Sequence, residues 1–176
     1  VFTLVPLALL DKRPGVTPRS VMRNWGLVFL GNFAGALTTA FFVSIILTYG
    51  YATDGAAVAA KVSTIGESRT LGYQEHGIGG WITIFIRGML CNWMVSMGVV
   101  GAMISTSAGA KMAAMWMPVM LFFFMGFEHS IVNMILFPFS MIMGGEFTVY
   151  DYLMWNELPT VLGNLAGGLL LVGLPL

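Results

Sequence analysis

Apolar and polar positions in this chain fall into long blocks instead of alternating at strand or helix period, and the blocks have bilayer dimensions. Residues 25–49 and 81–105 are apolar runs long enough to cross a hydrocarbon core of about 30 Å as helices. Residues 1–10 form an apolar stub too short to cross alone, ended by the turn-forming run Asp11-Lys12-Arg13-Pro14-Gly15. Residues 50–80 read as a long polar connection, residues 144–157 as an acidic loop, and residues 158–176 as the start of a last span. The stretch 113–143 has the wrong length. Thirty-one nearly unbroken apolar residues would rise about 46 Å as one helix. A break near residues 126–130 resolves the excess, and Glu128, His129 and Ser130 stand at that break. Ionisable groups inside a membrane-length segment mark a functional site by default, and discontinuous helices are a common way of building a polar site near the midplane.

Composition fixes the class. Hydrophobic residues are 57% of the chain and charged residues 9%, with a mean hydropathy of +0.85, which defines an integral, multi-pass membrane protein. The net charge is zero and no basic patch interleaves with aromatics, so nucleic acid is not a partner. A single Cys91 excludes an intrachain disulfide, and two histidines far apart argue against structural zinc. No cofactor is expected. The chain opens and closes inside apolar sequence and reads as an internal fragment. Lys12, Arg13, Arg19 and Arg23 in the first connection and Lys111 in the third place those loops in the cytoplasm; Lys61 and Arg69 in the second weaken the contrast.

An internal repeat gives the architecture. Asn24 followed by Gly31-Asn32-Phe33-Ala34-Gly35 returns as Asn156 followed by Gly163-Asn164-Leu165-Ala166-Gly167, with the same seven-residue step. On the loop assignment the two copies cross in opposite directions, as in the inverted repeats of pores and transporters. Each copy carries a GxxxG pattern, which lets helix backbones approach closely.

The segment Phe127-Glu128-His129-Ser130-Ile131-Val132-Asn133-Met134 resembles the central histidine segment of the formate/nitrite transporter family of small-anion channels. Asn24-Trp25 with Gly31-Asn32, Leu90-Cys91-Asn92-Trp93-Met94-Val95, and Gly163-Asn164 with Gly167-Gly168 resemble its third, fourth and sixth helices, in order and across essentially the whole chain. The resemblance implies an all-α, aquaporin-like fold of three plus three inverted helices with broken second and fifth helices. It implies that this chain lacks the first helix and half of the second, and that it assembles as a homopentamer with one pore per protomer. The expected location is the plasma (inner) membrane.

A mechanism follows from the residues at the break. If the helix restarts after His129, Ser130 is a natural N-cap, and the open amides of the new half-helix present about half a positive charge to an anion. By repeat symmetry Thr3 faces His129 from the other side, the role the family gives its loop threonine. Phe2 and Phe122 match the family's two hydrophobic constrictions, which stop bare ions because desolvating a charge is too costly. A weak-acid anion is thus expected to gain a proton near His129 and Thr3 and to pass as the neutral acid; an imidazole of ordinary pKa about 6.5 suits that task. Burial and a Glu128 carboxylate act on the imidazole's charge in opposite directions, and Glu128 reads as an anchor of local amides or of the histidine loop. Asn92 and Asn133 are amides inside apolar spans, either lining the pore or bonding neighbouring helices. The family's outer lysine, about sixteen residues ahead of its asparagine, has two counterparts here. That spacing lands on His76, whereas the context of Lys61 fits better if residues 63–80 contain an insertion of about fifteen residues. Arg87, at a span start, reads as snorkelling to headgroups.

The expected substrate is therefore a small monovalent anion, formate or nitrite, moving with protons across a lipid bilayer. Bicarbonate or hydrosulfide is the alternative within the family, and a neutral-solute aquaporin-like channel the alternative of another class, although no Asn-Pro-Ala loop occurs. No nucleophile, metal cage or nucleotide loop suggests an enzyme.

Overall fold

The computed structural model describes residues 4–175. Among them every regular element is helical: α1 (Leu4–Leu10), α2 (Pro18–Leu47), α3 (Ala56–Ser68), α4 (Leu71–Gln74), α5 (Gly77–Ile104), α6 (Ala108–Phe124), α7 (Ser130–Ile142), α8 (Val149–Tyr152) and α9 (Leu158–Gly168). Wide π-type turns, Leu153–Glu157 and Leu169–Gly173, join α8 to α9 and extend α9. Helices α2 and α5 are long and apolar enough to span a bilayer. Helices α6 and α7, of 17 and 13 residues, rise about 26 and 20 Å, each short of a full crossing.

Helix ends have local causes. At α6, Phe127 N–H donates to the Phe122 carbonyl at 3.0 Å and Gly126 N–H to the Phe123 carbonyl at 3.1 Å. Gly126 sits at φ +64°. This is a Schellman closure with glycine in the left-handed position, and it stops the helix inside otherwise unbroken apolar sequence. Gly144 at φ +96° closes α7 in the same way, with Gly145 N–H on the Ser140 carbonyl at 2.9 Å.

Two compact units form. One comprises the described residues up to Trp25, Phe85–His129, and Thr160 onward; the other comprises Gly26–Ile84 and Ser130–Pro159. In the first, α9 packs on α5 through its glycines. A Cβ at Gly167 would overlap the Met89 carbonyl, and one at Gly163 the Phe85 carbonyl. α1 packs on the Leu169–Gly173 turn. In the second, α3 lies along α7. Its core is Phe137, edge-on to Phe147 at 5.8 Å and stacked on Tyr152 at 4.8 Å.

Two spans differ from the sequence reading. The polar connection 50–80 contains α3 and α4, because Ala59 and Gly66 give α3 a small buried face; Gly66 sits directly against Ser140 and Phe147. The acidic loop 144–157 contains a helix start: Thr148 accepts from Asp151 N–H at 3.1 Å while the Asp151 carboxylate accepts from Thr148 N–H at 2.9 Å. This capping box sets the beginning of a helical run that continues through Leu153–Glu157, so Glu157 lies in helical structure and not in a solvated loop.

Candidate functional site

The helix break leaves residues 125–129 without helical structure between α6 and α7. In the first unit, His129 is half-buried and its ring stacks on Phe122, centroids 5.7 Å apart and planes 21° from parallel. Phe122 is itself 4% exposed and stacks on Phe123 at 4.5 Å. Among the described residues, the buried His129 Nδ1 has no hydrogen-bond partner. That nitrogen keeps one hydrogen bond, as donor or acceptor, unused among the described residues.

The break is held from α9. Asn164, 3% exposed, donates through Nδ2 to the Glu128 carbonyl at 3.0 Å and to the Gly88 carbonyl of α5 at 2.9 Å. Asn92 Nδ2 donates to the Asn164 carbonyl at 2.5 Å. One amide thus ties α5, α9 and the residue before His129. The Glu128 side chain is fully buried; the bond that secures the histidine loop is to its carbonyl, donated by Asn164. Asn164 stood out in the sequence as a repeat residue and in the Gly163-Asn164 motif of the family resemblance, without a role assigned to it, and its position in an apolar span was the available signal.

The second unit carries its own buried polar cluster. Ser130, the first residue of α7, donates through Oγ to Glu157 Oε1 at 2.5 Å, and Tyr152 OH donates to Glu157 Oε2 at 2.9 Å. Asn133 Nδ2 donates to Asn156 Oδ1 at 2.6 Å, and Asn156 Nδ2 to the Arg69 carbonyl at 3.0 Å. Ser130, Asn133, Asn156 and Glu157 are each at most 4% exposed. Sequence reasoning missed Glu157, because it took residues 144–157 for a loop; the signal was a carboxylate immediately after the repeat asparagine. Lys61 on α3 and His76 ahead of α5 are both exposed, and Arg87 is half-buried. Phe2 and Thr3 lie outside the described residues. Of the repeat's first copy, Asn24 is exposed and Asn32 bonds the Val28 carbonyl of its own helix at 2.8 Å.

An all-helical chain with bilayer-length apolar helices, a broken helix and a histidine at the break is a polytopic membrane protein of the transport class. Residues 1–176 match the formate/nitrite transporter family, and the chain belongs to it. A probable formate transporter of Methanothermobacter thermautotrophicus is 33% identical over 173 residues, covering 96% of this chain and 62% of that protein. The formate channel FocA of Escherichia coli is 30% identical over 193 residues, covering 99% of this chain and 65% of its own length. This chain thus spans somewhat less than two thirds of those relatives, which are transporters or channels and not enzymes. An FNT family ion channel superposes with a TM-score of 0.74 at 25% identity, over 93% of this chain and 61% of that one. A pentameric formate channel with formate bound gives 0.73 at 23% identity, over 92% and 67%, and shares the fold.

Proposed function

We propose that this chain forms the pore-bearing part of a channel for small monovalent anions, formate or nitrite, in which His129 relays a proton to the weak acid. The observation that carries the reading is the His129 imidazole at the helix break, stacked on Phe122 with its Nδ1 uncommitted among the described residues. Phe122 supplies one apolar constriction and Phe2 the other. Thr3 and His129 hold the anion between them, and the amides opening α7 contribute partial positive charge. A charged species meets a desolvation barrier at the rings; protonation lowers it. Asn92 and Asn133 serve first as packing amides in this reading, since each donates to a named partner. Lys61 or His76 attracts anions at the outer mouth. The fold is an inverted repeat of three plus three helices, with this chain running from the second half of the second helix onward. It assembles as a homopentamer in the plasma membrane. The family membership, the helix break and the names of the relatives support this reading.

Uptake of formate and of nitrite into proteoliposomes holding the full-length protein, at about pH 5.5 and about pH 7.5, tests it. Saturable entry, faster at the lower pH, is expected. Entry of neither anion above empty vesicles, from protein shown to be folded and inserted, would overturn it and turn attention to bicarbonate, hydrosulfide and neutral solutes.

A further inference from the structure

The connection between α1 and α2 gathers cations that its own chain does not neutralise. Residues 11–23 carry Lys12, Arg13, Arg19 and Arg23 against one acid, Asp11, so four positive charges less one leave a net of +3. All four cations are exposed, and among the described residues only Arg13 has an acidic partner, Asp11 at 3.6 Å, in a solvated pair. Backbone bonds fix the segment that carries them. Arg13 N–H donates to the Ala8 carbonyl of α1 and Val16 N–H to the Arg13 carbonyl, each at 3.1 Å. Thr17 Oγ1 then accepts from Ser20 N–H at 3.1 Å while Ser20 Oγ accepts from Thr17 N–H at 2.9 Å. This is a capping box with a hydroxyl where an acid is usual, so α2 begins with no carboxylate in its first turn to offset Arg19 and Arg23.

That arrangement costs the helix. Arg19 and Arg23 are four residues apart on one face of α2, about 6 Å along its axis, where like charges repel, and they stand at the helix end least favourable to cations. Val21 is buried, whereas Met22, on the face of the two arginines, is 65% exposed, and Leu10, which ends α1 just ahead of the cations, is 59% exposed. Uncompensated cations beside bare apolar side chains, at the end of a bilayer-length helix, complement a molecule that is anionic at one end and apolar at the other. We infer that residues 10–23 form a binding site for an anionic phospholipid, in which Arg19 and Arg23 take the headgroup phosphate, Lys12 and Arg13 add attraction, and Met22 and Leu10 meet the acyl chains. Two guanidiniums one helical turn apart suit a single phosphate, which each can bond with charge assistance. The positive-inside rule sets this connection at the cytoplasmic leaflet, where basic clusters of this size next to a membrane helix attract anionic lipid. Every residue of the site belongs to the first compact unit, and the inference is independent of which solute the chain passes.

Native mass spectrometry of the full-length protein in detergent, with dioleoyl phosphatidylglycerol and dioleoyl phosphatidylcholine supplied in equal amounts, tests the site. The two lipids share their acyl chains and a phosphate, but the choline cation cancels the net charge of the second. Wild type is expected to retain phosphatidylglycerol in preference. A basic residue beside an anionic headgroup contributes about 1 kcal/mol, a factor of about five, so Arg23→Gln should lower the preference about fivefold and Arg19→Gln with Arg23→Gln about 25-fold. Lys111→Gln removes the same charge from α6 and should leave the preference unchanged. If the double variant does not fold, the comparison of Arg23→Gln with Lys111→Gln decides the matter. Wild type that holds the two lipids equally, or a preference that Arg23→Gln and Lys111→Gln lower alike, overturns the proposal. Displacement of bound phosphatidylglycerol by inorganic phosphate overturns it too, since the patch would then be a site for a free anion.

Discussion

Replacing Asn164 by Ala removes the amide that secures the residue before His129. The side chain makes two bonds, to the Glu128 carbonyl at 3.0 Å and the Gly88 carbonyl at 2.9 Å. A net hydrogen bond contributes about 1 kcal/mol in water-based measurements, and about 0.6 kcal/mol on average between membrane helices. Two bonds therefore amount to roughly 1–2 kcal/mol. For a protein of this size each kcal/mol moves Tm by about 2–4 °C, so a fall of roughly 2–8 °C is expected in detergent. The backbone carbonyl that accepts from Asn92 survives the change, so α5 and α9 stay joined and the damage centres on residues 127–129. Formate uptake per inserted protein should fall more than stability does. Asn164→Asp sharpens the test: it is isosteric but cannot donate, and it sets a carboxylate against two carbonyls, so it should destabilise more than Ala. An Asp variant as stable as wild type, or an Ala variant with unchanged Tm and flux, would refute the assignment of the amide as donor and of Asn164 as the anchor of the break.

Three further outcomes follow from the same geometry. Gly167→Ala and Gly163→Ala drive a methyl into the Met89 and Phe85 carbonyls; each should cost about 1–3 kcal/mol, seen as a lower Tm and a lower yield of assembled protein. Phe137→Ala empties the centre of the second unit and should cost about 3–5 kcal/mol, read by thermal unfolding, whereas Phe137→Leu should recover much of the loss. His129→Phe keeps the aromatic stack on Phe122 and removes the titratable nitrogen, so uptake should lose its dependence on pH; an unchanged flux and pH profile would sink the proton relay.

Membrane class and the place where the chain breaks were legible because both depend on local sequence. Thirty-one nearly unbroken apolar residues are too long for one crossing, and Gly126, which has no Cβ, takes the left-handed position without strain. Partnerships were not legible, since they depend on what the fold brings near. Nothing local tells that Ser130 reaches Glu157, twenty-seven positions away, or that Asn164 reaches the Glu128 carbonyl, thirty-six positions away. The acidic run Glu146, Asp151 and Glu157 looked uniform, yet its members have three different situations. Glu146 N–H donates to Glu67, Asp151 caps α8, and Glu157 is buried against two hydroxyls. Charge content alone suggests a loop; the capping-box pair Thr148 and Asp151 just ahead of Leu153–Glu157 was the local clue to a helix.

The repeat shows most clearly what sequence similarity does and does not carry. Its two copies share the Asn, the step and the GxxxG, so both helices have the capacity for close backbone approach. Only one copy uses it among the described residues. Gly163 and Gly167 lie against the α5 carbonyls, and Asn164 is buried with two acceptors. A Cβ at Gly31 or Gly35 meets no described atom within 4 Å, and Asn32 turns back to its own helix. Identical residues thus hold a neighbour in one place and meet none among the described residues in the other. A motif of small residues reports how near a partner can come, and an asparagine beside it reports that a carbonyl would be welcome there; whether a partner is present is a property of the fold. The same reasoning ranks the site residues: Asn164 gains weight over the exposed Lys61 and His76 because its partners are fixed, and a fixed partner is what allows one substitution to move the residue before His129.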